Sequence, residues 1–473
     1  MLIGREKEIK ELLDAYKVDK SAFIAVFGRR RIGKTFLVRE VFRNKITFSY
    51  SGMANVSTKK QLQKFYLTLK KYGISNISAP SNWIEAFDIL ERYLESLPKG
   101  KKVVFLDELP WMDAPHSSFL PAFENFWNDW ASARNDILLI VCGSATSWMM
   151  NKILRNRGGL HNRLTGQIHL TPFNLFECEQ YAKENNLPFS RRDILETYMV
   201  MGGIPFYWSL LRSNLSLTQN IDDLFFGRNP KLKNEFKTLY SSLFKRPEPY
   251  VELITLLGKR QAGMTREEIL KHVKATTNGS LSRRLEELEE CGFIRRYQTI
   301  GARRKNSVYQ LIDNYTLFYF RFIAGHSVTD SNYWQKIQIS PLYYNWCGIA
   351  YERVCLLHTE QIKLALGISG VISNEYSWRV PPKEDVRGAQ IDLLIDRSDH
   401  AINLCEIKYS NGLYSLDNND FESLMNKCNR FREETGTKSG IAITMITSFG
   451  LAQNKYSSFI NAQITSDALF VNA

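Results

Sequence analysis

Seven cysteines are scattered over 473 residues with no C-x-x-C pair among them, which excludes a disulfide framework and a zinc cage as the organising device. No apolar run approaches the length that crosses a bilayer. The opening MLIGREKEIK lacks the apolar stretch of a secretory signal. No sizeable Gly/Pro linker or internal repeat interrupts the first part of the chain. These absences lead to the expectation of a cytoplasmic protein with no membrane partner. What is present is ordinary for a globular protein: 44% hydrophobic and 23% charged residues, with length for two to four domains. The formal net charge of +13 favours a polyanionic partner, DNA first, with a merely basic protein as the alternative.

One stretch, VFGRRRIGKTFLV at positions 26–38, carries most of the information. It holds Gly28-x-x-x-x-Gly33-Lys34-Thr35, the phosphate-binding P-loop pattern. The apolar run before it reads as a buried strand, and Phe36 onward reads as a helix. Gly28 and Gly33 allow a tight turn in which the N–H groups of Arg29, Arg30, Arg31 and Ile32 face a phosphate chain. The helix start adds its positive dipole end at Lys34, Thr35 and Phe36. Lys34 is expected on the β- and γ-phosphates and the Thr35 hydroxyl on Mg²⁺, so ATP and Mg²⁺ are the expected cofactors.

The first 170 residues alternate strands and helices, which predicts a parallel sheet with helices on both faces. Predicted strands follow the P-loop at residues 46–50, 102–106 and 137–142. The second of these ends in Asp107-Glu108. Asp107 is expected to hold Mg²⁺ through water, and Glu108 to orient and deprotonate the attacking water. The third ends in Gly143-Ser144, and Ser144 is placed to sense the γ-phosphate. Arg163 is read as an arginine finger, with a surface salt bridge an equal alternative.

Residues 171–245 read as a helical lid punctuated by Gly202-Gly203-Ile204-Pro205. Residues 246–313 read as a winged helix-turn-helix: a helix around 251–257, a second one capped by Thr265 and Glu268, a third from Asn278, and a two-stranded wing. Arg283, Arg284, Arg295, Arg296, Arg303, Arg304 and Lys305 are placed on its recognition helix and wing, facing either DNA or a protein partner. Residues 314–342 form an aromatic-rich helical connector, read as core packing ahead of base stacking.

Gly4-Arg5-Glu6, the P-loop, Asp107-Glu108, Gly143-Ser144, Phe173 with Gly202–Pro205, and Tyr309-x-Leu311-x-Asp313 together resemble the archaeal/bacterial ATPases, a prokaryotic clade of AAA+/STAND-type P-loop NTPases. The likeness covers roughly the first two-thirds of the chain. It implies ATP hydrolysis and brings Arg5 in as a nucleotide contact near the adenine.

Residues 343–473 form a separate α/β unit. Two apolar strands, 388–396 and 402–408, are joined by Arg397-Ser398-Asp399-His400. The short turn sets Asp392 opposite Glu406, with Cβ atoms roughly 5 Å apart. Carboxylates so close call for a cation, Mg²⁺ or Mn²⁺. Lys408 falls on the same face as Glu406 and can place a water and stabilise charge on a scissile phosphate. This pattern resembles the PD-(D/E)XK nucleases over the last quarter of the chain, with Ile391 where the literal motif has proline. The resemblance adds Glu352, on the leading helix, as a further metal ligand.

The expected fold class is therefore α/β: a P-loop parallel sheet with a helical lid, a winged helix-turn-helix and a C-terminal restriction-endonuclease-like domain. Lys34, Glu108, Arg163 and Lys408 are the catalytic candidates. The leading expectation is an ATPase controlling a metal-dependent DNA nuclease. The alternative is a STAND-type signalling or assembly switch whose C-terminal domain only binds DNA or protein; homo-oligomerisation stays open in either case.

Overall fold

The computed structural model describes residues 2–74, 77–144, 148–155, 158–244, 246–273, 278–298, 300, 307–325, 330, 332–382 and 387–473. The chain divides into two compact units, Met1–Thr171 and Pro172–Ala473.

The first unit is built on five strands: β1 (Ala22–Gly28), β2 (Ile46–Ser51), β3 (Lys102–Asp107), β4 (Ile137–Ser144) and β5 (Gly166–Leu170). They form one sheet in the order β2-β3-β4-β1-β5, and every pairing is parallel. Helix α1 (Glu6–Lys17) precedes β1, and α2 (Lys34–Val41), α3 (Thr58–Lys71), α4 (Trp83–Ser96) and α5 (Phe119–Asn125) lie between the strands from β1 to β4. β1 and β3 are buried at every position, as continuous apolar strands covered on both faces must be. The three strands expected after the P-loop are present, each running one or two residues further. β5, reading GQIHL, is an additional strand with only alternate positions buried. β4 lies between the P-loop strand β1 and the acid-bearing strand β3.

The second unit begins with α6 (Leu175–Glu184), α7 (Arg191–Met201), α8 (Pro205–Trp208), α9 (Leu217–Ile221) and α10 (Glu235–Leu243). Capping boxes start α6 at Asn174 with Glu177 and α7 at Ser190 with Asp193, satisfying N–H groups that a helix start leaves open. Gly203 is required by close approach: a Cβ there would lie 1.8 Å from the carbonyl oxygen of Phe173, whose N–H in turn donates to the Gly203 carbonyl at 2.7 Å.

Next come α11 (Glu248–Gly258), β6 (Met264–Thr265), α12 (Arg266–Leu270), α13 (Asn278–Glu290), β7 (Ile294–Tyr297) and β8 (Val308–Leu311). They form a three-helix module with a small antiparallel sheet ordered β6-β8-β7. The expected Thr265–Glu268 capping box is present at α12. Arg303, Arg304 and Lys305 lie outside the described residues. α14 (Asn314–Phe318) and α15 (Tyr333–Ile337) follow. Tyr315, Phe318, Phe322 and Trp334 are buried, in stacked, tilted and edge contacts with Phe225 and Trp346, so these aromatics are core.

The chain ends with α16 (Pro341–Leu357), α17 (Thr359–Ala365), β9 (Ser373–Val380), β10 (Ala389–Arg397), β11 (Ala401–Lys408), α18 (Asn418–Thr435), β12 (Gly440–Thr447) and β13 (Ala462–Thr465). The sheet order is β13-β12-β11-β10-β9. It is mixed: antiparallel across β9, β10 and β11 and parallel across β11, β12 and β13. Among the described residues, no helix is long and apolar enough to cross a membrane.

Candidate functional site

The turn between β1 and α2 folds as a phosphate cradle. Gly28 has φ 143°, and a Cβ on it would sit 2.3 Å from the Leu170 carbonyl oxygen, so only glycine lets β5 pass this close. Gly33, with φ 91°, is the N-cap of α2. Lys34 is buried, and its ammonium donates to the carbonyls of Gly28 at 3.2 Å and Arg29 at 2.8 Å. The lysine is thus held inside the turn whose N–H groups define the cradle. Phe36 points outward and is exposed.

Thr35 faces β3. Its hydroxyl donates to Asp107 at 3.1 Å for Oδ1 and 3.0 Å for Oδ2. Asp107 is buried and also accepts from the Ser51 hydroxyl at 3.3 Å and from the Glu108 N–H at 3.1 Å. Hydroxyl and carboxylate oxygens together suit Mg²⁺, a hard cation with oxygen ligands. Glu108 stands at φ 48°, ψ 48°, a left-handed conformation that costs energy for a non-glycine residue. Burial pushes its carboxyl above the ordinary carboxylate range; Lys34 and Arg30 oppose that shift and Asp107 adds to it. A carboxylate tuned upward is the better proton acceptor near neutral pH.

Ser144 pairs with Gly28 in the β1–β4 register, which puts it at the loop mouth. Arg5 is buried in a left-handed conformation at φ 68°. Its guanidinium donates to the Thr171 carbonyl at 2.6 Å and lies 3.7 Å from Glu8, so it braces the start of α1 against the chain just past β5. Arg163 is exposed in the turn before β5. Among the described residues, no bond ties its side chain to the cradle. Ser51 was not foreseen: it is a plain serine at a strand end, and only the fold brings it to Asp107.

Residues 2–211 match a family described as an ATPase domain predominantly from Archaea. The chain carries a P-loop ATPase domain. It is 25% identical over 359 residues to an uncharacterized protein of Methanocaldococcus jannaschii, covering 75% of this chain and 76% of that one. Similar solved structures include the Walker-type ATPase of Pyrococcus abyssi, at 19% identity and TM-score 0.48 over 68% of this chain and 96% of the other. The ORC2 protein of Aeropyrum pernix is similar at 16% identity and TM-score 0.41, over 72% and 96%. The ATPase family match extends past residue 171, so its last forty or so residues, with α6 and α7, lie in the second compact unit.

The C-terminal candidates sit on the mixed sheet and on α16. Leu393 pairs with Cys405 at the end of the β10–β11 ladder, and β10 shifts register against β9 between Ile391 and Leu394, so the expected Asp392–Glu406 pair lies outside the regular ladder. Lys408 lies 3.3 Å from Glu406, and Lys427 of α18 lies 2.6 Å from the other Glu406 oxygen. Lys427 was also unforeseen, because α18 offers no motif to mark it. Glu352 is ion-paired with its neighbour Arg353. Burial raises the Glu352 carboxyl to about 7; Arg353 and Arg295 oppose this, and Asp392 adds to it. Asp392 accepts from Gln390 at 2.6 Å. Oxygen donors of this kind suit Mg²⁺ or Mn²⁺. Yet Glu406 and Glu352 are each engaged by cationic side chains, and among the described residues no three acidic, histidine or cysteine side chains converge as a metal set. As they stand, these residues do not fit a metal ion.

Arg295 departs from the expected surface role. Its guanidinium donates to Gln310 at 2.6 Å and to Ser377 of β9 at 3.3 Å, so it faces the mixed sheet. Arg296, next on β7, is exposed and lies 3.6 Å from Glu289. Arg283 is exposed and lies 3.8 Å from Glu287.

Proposed function

We propose that the chain is an ATPase whose nucleotide state governs a C-terminal domain directed at DNA. The observation that carries the ATPase half is the Thr35–Asp107 contact beside a half-buried Glu108, directly behind the P-loop. When nucleotide enters, Lys34 exchanges the loop carbonyls for the β- and γ-phosphates, and the loop N–H groups hold the phosphate chain. Thr35 and Asp107 would hold Mg²⁺, which would supply neutralisation of the phosphate charge. Glu108 orients the attacking water and takes its proton, and Ser144 at the end of β4 meets the γ-phosphate. Arg5 and Arg163 remain candidates for the adenine side and for an arginine finger.

The order α11-β6-α12-α13-β7-β8 supports a winged helix-turn-helix reading, and the order α16-α17-β9-β10-β11-α18-β12 supports a PD-(D/E)XK-like reading. In the latter, Asp392, Glu406 and Glu352 occupy the carboxylate positions and Lys408 the lysine position of such a site, but with Glu352 paired to Arg353 and Glu406 to Lys408 and Lys427 they do not fit a metal ion. The net charge of +13 and the exposed Arg283 and Arg296 favour DNA as the partner.

The test is cleavage of plasmid and single-stranded DNA with Mg²⁺ or Mn²⁺, with and without ATP. Wild type, Lys34→Ala and Lys408→Ala are compared. Cutting that is lost in Lys408→Ala and altered in Lys34→Ala is the expected result. No cutting in any lane removes the nuclease half. The reading then becomes the ATP-dependent switch whose C-terminal domain only binds, which the cationic partners of Glu406 and Glu352 also favour.

A further inference from the structure

Helix α3 reaches the acid-bearing end of β3 through one side chain. Gln61 is fully buried, and its amide uses its whole bonding capacity. Nε2 donates to the carbonyls of Met53 and Trp111, both at 2.7 Å. Oε1 accepts from the Tyr50 hydroxyl at 2.8 Å and from the Met53 N–H at 3.1 Å. Reversing the amide would set its NH₂ against the Met53 N–H, so the network fixes its orientation. These bonds join the segment just past β2 to the turn that follows Glu108. One helical turn along, Lys64 donates to the Ser51 carbonyl at 2.7 Å, and Ser51 is the residue whose hydroxyl reaches Asp107.

Glu108 depends on that turn. Its backbone is left-handed, at φ 48° and ψ 48°, a conformation that a non-glycine residue keeps only where its surroundings impose it. The Glu108 N–H donates to Asp107 Oδ1 at 3.1 Å. Its carbonyl accepts from the Trp111 N–H at 3.0 Å, and the Trp111 carbonyl is the one that Gln61 holds. Gly52 closes the remaining side. Its N–H donates to the Asp107 carbonyl at 2.9 Å, and a Cβ on it would lie 2.7 Å from the Glu108 carbonyl oxygen. The direction of the Glu108 side chain is therefore set by a backbone clamped from Asp107, Gly52 and Trp111.

We propose that Gln61 is a positioning residue for ATP hydrolysis: by tying the Leu109–Trp111 turn to the segment after β2, it holds Glu108 in the conformation that aims its carboxylate at the attacking water. The proposal rests on the reading of Glu108 as the group that orients and deprotonates that water. Gln61 acts through Glu108, and a reacting group misplaced by about 1 Å loses on the order of 10²-fold in rate.

The test is steady-state ATP hydrolysis with Mg²⁺ by the full chain as wild type, Gln61→Met, Glu108→Gln and the double variant, with binding of a fluorescent ATP analogue measured in parallel. Methionine is as long and unbranched as glutamine and removes every bond of the amide. Gln61→Met is expected to lower kcat by about 10²-fold, with KM and analogue affinity unchanged. Added to Glu108→Gln it should cost nothing further, because the group it aims is already gone. If Gln61→Met turns over as wild type does, or if its loss multiplies onto that of Glu108→Gln, the positioning role is wrong while Glu108 keeps its own. Loss of analogue binding by a Gln61→Met protein that melts as wild type does also overturns it, since the network would then serve the phosphate cradle. If Glu108→Gln hydrolyses ATP at the wild-type rate, the reading of Glu108 falls and the role of Gln61 falls with it. Should Gln61→Met not fold, Tyr50→Phe decides. It removes one bond that orients the amide and should lower kcat several-fold at unchanged KM; a wild-type kcat there overturns the proposal.

Discussion

The backbone N–H of Leu175 donates to Nε2 of His358 at 2.9 Å, across 183 positions of sequence. The other ring nitrogen faces the Val354 carbonyl at 2.8 Å, which fixes the neutral tautomer with the proton on Nδ1. The first residue of α6, inside the ATPase family match, is thereby bonded to the end of α16. Arg192 of α7 adds a second tie, at 3.3 Å to Asn411 just beyond β11. Helices matched as ATPase and the sheet carrying Glu406 and Lys408 therefore belong to one body.

That histidine predicts a pH response. Burial lowers the His358 pKa from 6.5 to about 4, so the folded state holds the neutral ring and the unfolded chain takes up the proton first. The stability is complete above pH 6.5 and is lost as the pH falls from 6.5 towards 4. The loss is roughly 3 kcal/mol at most. Urea unfolding at stepped pH checks it, followed by a signal from the second unit. His358→Gln can still accept from Leu175 and donate to Val354, and it should flatten the profile over that window. An unchanged profile in this variant would place the acid sensitivity elsewhere.

Gly203→Ala should destabilise the second unit by more than about 3 kcal/mol, because the new methyl has backbone atoms of Phe173 on it and nowhere to go. Gly279→Ala, in α13 with nothing within 4 Å, is the control and should be neutral or slightly stabilising. Chemical denaturation of the two variants side by side decides the point. Equal midpoints would mean that the Phe173 segment relaxes freely.

Ser51→Ala removes one of the donors that orient Asp107 and leaves the Thr35 contact in place. ATP hydrolysis should then need about ten-fold more Mg²⁺ for half-maximal rate, with little change at saturation. A Mg²⁺ titration that superimposes on wild type would show Ser51 to be a spectator.

The phosphate cradle was legible in the sequence because its pattern is local. Gly28, Gly33, Lys34 and Thr35 lie within eight residues, and the strand and helix on either side carry strong apolar periodicity. Asp107-Glu108 was legible only because a P-loop precedes it; alone, an apolar strand ending in two acids reads as a buried strand with acids at its exposed end. β5 was not, since only its alternate positions are buried and it is five residues long. Arg295 and Arg296 looked alike in sequence, but successive strand residues face opposite ways. One had to point inward, and which one depended on Ser377 and Gln310, far away in the chain. Lys427 was invisible for the same reason: its partner Glu406 lies across the fold on another element.

We propose that this P-loop turns over ATP through Glu108. The most direct measurement is steady-state ATP hydrolysis with Mg²⁺ by wild type, Lys34→Ala and Glu108→Gln, paired with binding of a fluorescent ATP analogue. Lys34→Ala should lose both binding and turnover. Glu108→Gln should bind as wild type does and turn over about 10²–10⁴-fold more slowly. Hydrolysis that persists at the wild-type rate in both variants would contradict the assignment and place the ATPase chemistry elsewhere.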